Sequence, residues 1–287
     1  MAMLKASAMV LAAALPFQPA ANARAGAGAN GWSEARRGSA LDLGGARLVH
    51  QEGFDEPLSL NGPLLWAKQH ADVGLEKFDP AGGYAYGFAD GVLAIRAYEL
   101  SSGIRSGNVQ SVNADQAYQG AAIVPGKRGF TCASCYWEAR VRFPQARGTW
   151  GSFWLLTPDD PRRRGHLEVD AIEYYGAADR RGHHHTIHRW GPQEREGHRQ
   201  RGDYTGMDEI ADFGWHVYGV DLRGRDMLDG KPALVVYMDG KEVSRIAPDA
   251  DFLTRPFYFN LTLSINPKDG QRTLPQVMKV DFVRVWK

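Results

Sequence analysis

The chain has 287 residues, 44% of them hydrophobic and 11% aromatic, enough apolar material for one well-buried domain and too little for two large ones. Its 34 lysines and arginines stand against 33 acids, a formal charge of +1 that gives no global attraction to nucleic acid or to a membrane surface.

The elements follow in chain order. Met1 to Lys5 carry one positive charge, ASAMVLAAALPF is a short apolar core, and Ala23-Arg24-Ala25 is a small-residue cleavage site. This pattern predicts a secretory signal peptide over 1–25 and a secreted or periplasmic protein, a buried helix or uncleaved anchor being the alternative. No later apolar run is long enough to cross a membrane. Residues 26–45 are small, polar and aperiodic and read as a flexible lead-in to a single domain over 46–287. In that domain short runs rich in β-branched and aromatic residues recur between Gly, Pro, Asp and Asn: GVLAIRAYEL, CYWEARVRF, TWGSFWLL, LEVDAIEYY, HHTIHRW, WHVYGVDL, ALVVYM, FYFNLTLSI and VMKVDFVRVW. Their two-residue period predicts strands, and Asp239-Gly240 between apolar flanks predicts a tight hairpin. No long helical stripe and no repeat appears, so the pattern is that of an antiparallel sandwich or barrel.

The only cysteines, Cys132 and Cys135, allow a short-loop disulfide in an oxidising compartment. A redox pair would sit at a helix N-terminus, whereas these run into a strand, and zinc would need two further ligands.

The stretch HLEVDAIEYYG poses the chemical question, because it places Glu168, Asp170 and Glu173 in what otherwise reads as a buried strand. Burying a carboxylate is costly unless it is paired or used. Glu168 and Asp170 share a face by alternation, and a β-bulge around Ala171-Ile172 would return Glu173 to the same side. Closely spaced acids suit glycoside hydrolysis, one attacking and one protonating the leaving oxygen. Surface acids on a strand edge, or a calcium-binding cluster, are the plainer readings.

These motifs, taken in order, resemble glycoside hydrolase family 16: FDEPLSL, SSGIRSG, YWEARVRFP, GTWGSFWLL, E-V-D-A-I-E, WHVYGVDLR, VVYMDGKEV and KVDFVRVW. The similarity runs from about Gly53 over most of the chain, in the E-x-D-x-x-E form of the family's bulged branch. It implies an all-β jelly-roll sandwich of two antiparallel sheets with a substrate cleft on the concave face. It also implies a retaining double displacement with Glu168 as nucleophile, Asp170 as its assistant and Glu173 as acid/base. The expected partner is a polysaccharide, by default a β-1,3 or β-1,3-1,4 glucan, met by a monomer that binds neither nucleic acid nor membrane.

The resemblance assigns a cleft aromatic to Trp150, and Trp154 shares its face by alternation. It assigns a cleft histidine to His188, with His185 second, and a cleft-lining side chain to Asn260, although Ser264-Ile265 replaces the family's paired glycines. No cofactor is expected in catalysis. A structural Ca²⁺ held by Pro57, Gly91 and Asp281 is a family feature, unless Asp281 is simply a turn-capping or surface acid. Arginine-rich stretches flank the catalytic strand, at Arg162, Arg163, Arg164 and in DRRGHHH and REGHRQR. They raise an acidic or sulfated polysaccharide as a second candidate substrate, since guanidinium pairs well with carboxylate or sulfate. A transglycosylase would use the same covalent intermediate, and a sandwich of this kind could also bind carbohydrate without turning it over.

Overall fold

A computed structural model describes residues 41–54, 59–62, 65–67, 74–112, 129–158, 165–179, 182–191, 194–206 and 214–287, without the side chains of 194–196 and 204–206. The expected signal segment, most of the expected lead-in, Pro57, Arg162–Arg164, Arg180 and Arg181 lie outside the described residues.

The described strands are β1 (Leu48–Glu52), β2 (Trp66–Ala67), β3 (Glu76–Phe78), β4 (Tyr86–Ala89), β5 (Val92–Leu100) and β6 (Gly103–Gln110). They continue as β7 (Tyr136–Arg142), β8 (Thr149–Leu156), β9 (Leu167–Tyr174), β10 (Gly182–Gly191), β11 (Glu194–Gly206) and β12 (His216–Asp221). The last are β13 (Met227–Leu228), β14 (Lys231–Pro232), β15 (Leu234–Met238), β16 (Lys241–Ile246), β17 (Tyr258–Ile265) and β18 (Gln276–Trp286).

The alternation read from the sequence is what builds the core. In β5, Leu93, Ile95 and Ala97 are buried while their neighbours are half-exposed. In β17, Phe259, Leu261, Leu263 and Ile265 join the main apolar core, and Tyr258, Asn260, Thr262 and Ser264 line the other face. Asp239 and Gly240 both adopt positive φ, 50° and 78°, and Met238 pairs with Lys241 across them. That is the left-handed geometry a two-residue hairpin requires.

The sandwich is one continuous strand path, β11-β10-β9-β8-β17-β6 and then β5-β18-β7-β12-β15-β16. The turn between its layers is made by β5: Leu93 to Ala97 pair with β18, whereas Tyr98 to Leu100 pair with β6. Pairing among the described strands is antiparallel, apart from β3 alongside β6. On the opposite side, side chains bridge the layers. Arg189 of β10 donates to Asp249 and Asp251, and Arg201 of β11 donates to the Ala247 carbonyl, all three acceptors lying just beyond β16. The last part of the lead-in is seated rather than free. Leu43 is buried against Tyr136, Tyr237 and Trp286, and Arg223 and Arg225 each donate to its carbonyl at 3.2 Å.

Candidate active site

Three carboxylates reach one face of β9 because the strand carries an extra residue. On one side Trp154 pairs with Asp170 and Phe153 with Ile172, leaving Ala171 without an opposite number. On the other, Thr186 pairs with Asp170 and His184 with Glu173, so His185 faces two residues. This bulge lies where the acid spacing calls for it. His185 itself is buried, and its Nδ1 lies 2.8 Å from the Ala171 carbonyl. The ring therefore satisfies a backbone group that the broken ladder releases.

Each outer acid has its own indole. Trp190 Nε1 donates to Glu168 at 2.7 Å, and Trp150 Nε1 donates to Glu173 at 2.8 Å. Tyr175 adds a second donor to Glu173 at 3.1 Å and stacks on Trp150 with ring centres 5.9 Å apart. Burial, then the charge of Glu173, pushes the Tyr175 phenol well above its ordinary range, so it stays a donor. The central contact is His188, whose Nε2 lies 3.1 Å from Asp170 Oδ2 and 3.9 Å from Glu168 Oε1.

The electrostatics follow from crowding acids into an apolar wall. Burial, reinforced by the Asp170 charge, pushes Glu168 up to about 8, although His188 and the Trp190 N–H pull the other way. Asp170 is raised well above the usual carboxylate range by burial and by Glu173. Crowding in an apolar wall therefore disfavours ionising Glu168 and Asp170 together. Glu168, Asp170 and His188 each offer a donor atom within 4.8 Å of the others. Trp190 and the His188–Asp170 contact already engage them, which suits proton handling rather than an ion.

Gly165 makes the entry to β9 possible. It has φ +77°, and a Cβ there would collide with the Trp190 carbonyl. The approach places Trp190 within reach of Glu168.

Other expected site residues fall elsewhere. Trp150 and His188 are in the cleft, but His185 is on the core side, since neighbouring residues of a strand point oppositely. Trp154 shares the acid face yet is only 8% exposed, packed with Val112, Leu156 and Tyr258 and donating to Thr262 at 2.9 Å. Asn260 shares that face and is wholly buried, its Oδ1 3.5 Å from Asn108 Nδ2. These two are therefore floor packing rather than open cleft wall. Trp190, Tyr175 and His198 belong to the site without having been assigned from sequence. Trp190 and Tyr175 had the signal, adjoining the catalytic motif or the His188 run, whereas His198 arrives through the β10–β11 pairing.

Asp281 and Gly91 do come together, since Val280 pairs with Leu93 two residues beyond Gly91. Yet the buried Asp281 carboxylate takes an Arg140 N–H at 2.7 Å.

Paired carboxylates on the face of a β-sandwich, each held by an indole, suit the cleavage of a glycosidic bond. Residues 103–281 match glycosyl hydrolases family 16. The chain belongs to that family and is a glycoside hydrolase. No curated protein matches the sequence significantly. Solved structures similar to it include a laminarinase from Flavobacterium sp. UMI-01, at 18% identity and TM-score 0.60, covering 84% of this chain and 100% of that one. The endo-β-1,3-glucanase of Pyrococcus furiosus is 19% identical with TM-score 0.60, covering 84% and 94%. The laminarinase catalytic domain of Thermotoga maritima is 19% identical with TM-score 0.61, covering 84% and 98%. At these identities the likeness is one of fold.

Proposed function

We propose that the protein is a retaining endo-β-glycanase acting on a β-1,3 or mixed β-1,3-1,4 glucan. The observation that carries this is the bulged β9, which sets three acids on one face. In the first step Glu168, in its ionised form, attacks the anomeric carbon while Glu173 gives its proton to the departing oxygen. In the second, Glu173 takes a proton from water, which displaces Glu168. Asp170 lies within the same cluster and steadies the Glu168 carboxyl. Trp150 offers an apolar ring for a sugar face beside Glu173. The choice of glucan rests on the activities named for the laminarinases and the endo-glucanase above, all of the same fold.

An anionic substrate loses part of its support. Arg199 and Arg201 pair opposite Arg189 and Ile187, on the face away from the acids. We also infer export, which the Cys132–Cys135 disulfide favours because such bonds persist in oxidising compartments. The remaining expectation is a monomer, readable by size-exclusion chromatography.

The test is product analysis on laminarin, lichenan, agarose, carrageenan and acidic exopolysaccharides, with the product anomer followed by proton NMR. Retained configuration on a β-glucan, abolished in Glu168→Gln with binding preserved, is the expected result. An inverted product, or turnover surviving that change, refutes the assignment.

A further inference from the structure

His198 takes no part in the roles assigned so far, yet it touches both branches of the site. Its Nε2 lies 2.9 Å from His188 Nδ1, and its ring stacks on Trp190 with centres 4.0 Å apart and planes 14° apart. His188 in turn is stacked on Trp190 at 5.6 Å and on His198 at 5.2 Å. The three rings are nearly parallel: His198 lies over Trp190, and His188 lies beside both with its Nε2 toward Asp170 and Glu168.

The hydrogen positions follow from the acceptors. His188 Nε2 faces two carboxyl oxygens, Asp170 Oδ2 and Glu168 Oε1, so it bears the hydrogen. With the hydrogen on Nε2, His188 Nδ1 is the acceptor, and His198 Nε2 is the group in place to donate to it. We propose that His198 is a positioning residue: it donates Nε2–H to His188 Nδ1, fixes the Nε2–H tautomer that faces Asp170, and clamps the indole that holds Glu168.

A ring nitrogen's partner sets which nitrogen carries the proton on the other side of the imidazole. Burial and the neighbouring His188 hold His198 below its ordinary pKa, in the same direction as the donor role. The titratable groups around the pair are Glu168, Asp170 and Glu173 of β9 and His184 of β10, the last held by Asp179 at 2.9 Å. Arg199 is on the opposite face of the hairpin. No second ionising group among the described side chains competes for His188 Nδ1.

The inference rests on the glycosidase reading for its kinetic arm only. His198→Phe keeps a flat ring over Trp190 and removes the hydrogen bond, while His198→Gln restores an N–H donor at similar reach. In ¹⁵N-histidine spectra the wild-type protein should show His188, assigned by its loss in His188→Gln, as the Nε2–H tautomer. His198→Phe should scramble that signal, and His198→Gln should recover it. On the β-glucan that proves to be the substrate, His198→Phe should lower kcat roughly tenfold, as loss of a ring-orienting partner does. KM should hold and the acidic limb of the pH profile should move, with His198→Gln restoring most of both. An unchanged His188 tautomer in His198→Phe overturns the proposal, whatever the activity. Absence of turnover on every glycan in wild type, with the tautomer changes as described, overturns the glycosidase reading and leaves His198 in its role.

Discussion

Glu168 shows how much one residue's surroundings determine. Its ordinary carboxyl value of 4.5 is raised to about 8 by burial beside Asp170. Between these values the folded protein binds more protons than the unfolded chain, so this group's contribution is complete below pH 4.5 and is lost as pH rises through 8. Glu168→Gln cannot ionise. Its melting temperature should match wild type near pH 5 and exceed it at pH 9, by the equivalent of about 2 kcal/mol. Parallel curves in differential scanning fluorimetry would refute the buried-acid account. The acids were legible in the sequence because burial makes a carboxylate conspicuous among apolar neighbours. Trp150 and His188 were legible through the family's pattern. His185 was not separable from His188 by residue type, only by strand parity, and parity depends on a register that the bulge shifts. Asn260 and Trp154 have the right face but are covered, and cover comes from segments distant in the chain.

At the scale of the element, the strand's meaning resides in its extra residue. Deleting Ala171 leaves Glu-Val-Asp-Ile-Glu, in which strict alternation still places all three acids on one face. Deleting Ile172 as well leaves Glu-Val-Asp-Glu, which by the same alternation turns the last acid toward the core. The single deletion should keep measurable hydrolysis, whereas the double deletion should cut it by about a thousandfold, the scale of losing a general acid. Far-ultraviolet circular dichroism should show both variants folded; an active double-deletion variant would sink the argument. The bulge was readable because its spacing is local. The ring that satisfies it, His185, looks in the sequence like a cleft group. A backbone carbonyl freed by a bulge leaves no mark in the residue types around it. The hairpin at Asp239-Gly240 was plain for the opposite reason, since positive φ selects residues directly.

Over the whole molecule, alternating strands without a helical stripe were enough to give a sandwich, because a half-buried sheet must find another layer. The strand order was beyond such reading: β17 lies between β8 and β6 although it is nearly last in the chain. Nor could the arginines be sorted by composition. Those that seemed aimed at an anionic substrate include Arg201, which with Arg189 ties the catalytic layer to the far one. The two sides of the sandwich are thus fastened by different forces. Along β5 and β6 the join is continuous backbone ladder, which salt does not weaken. Along β10 and β11 it depends on guanidinium groups. The exposed Arg189–Asp249 pair fades most as ionic strength rises, the Arg189–Asp251 pair being half-buried and Arg201 meeting a neutral carbonyl. In concentrated sodium chloride, amide exchange should quicken first in the β10–β11 hairpin and leave β5–β6 protected; uniform exchange would contradict this. The chain that holds the histidines is on the loosely fastened side, so brine should disturb the pH optimum before it melts the protein.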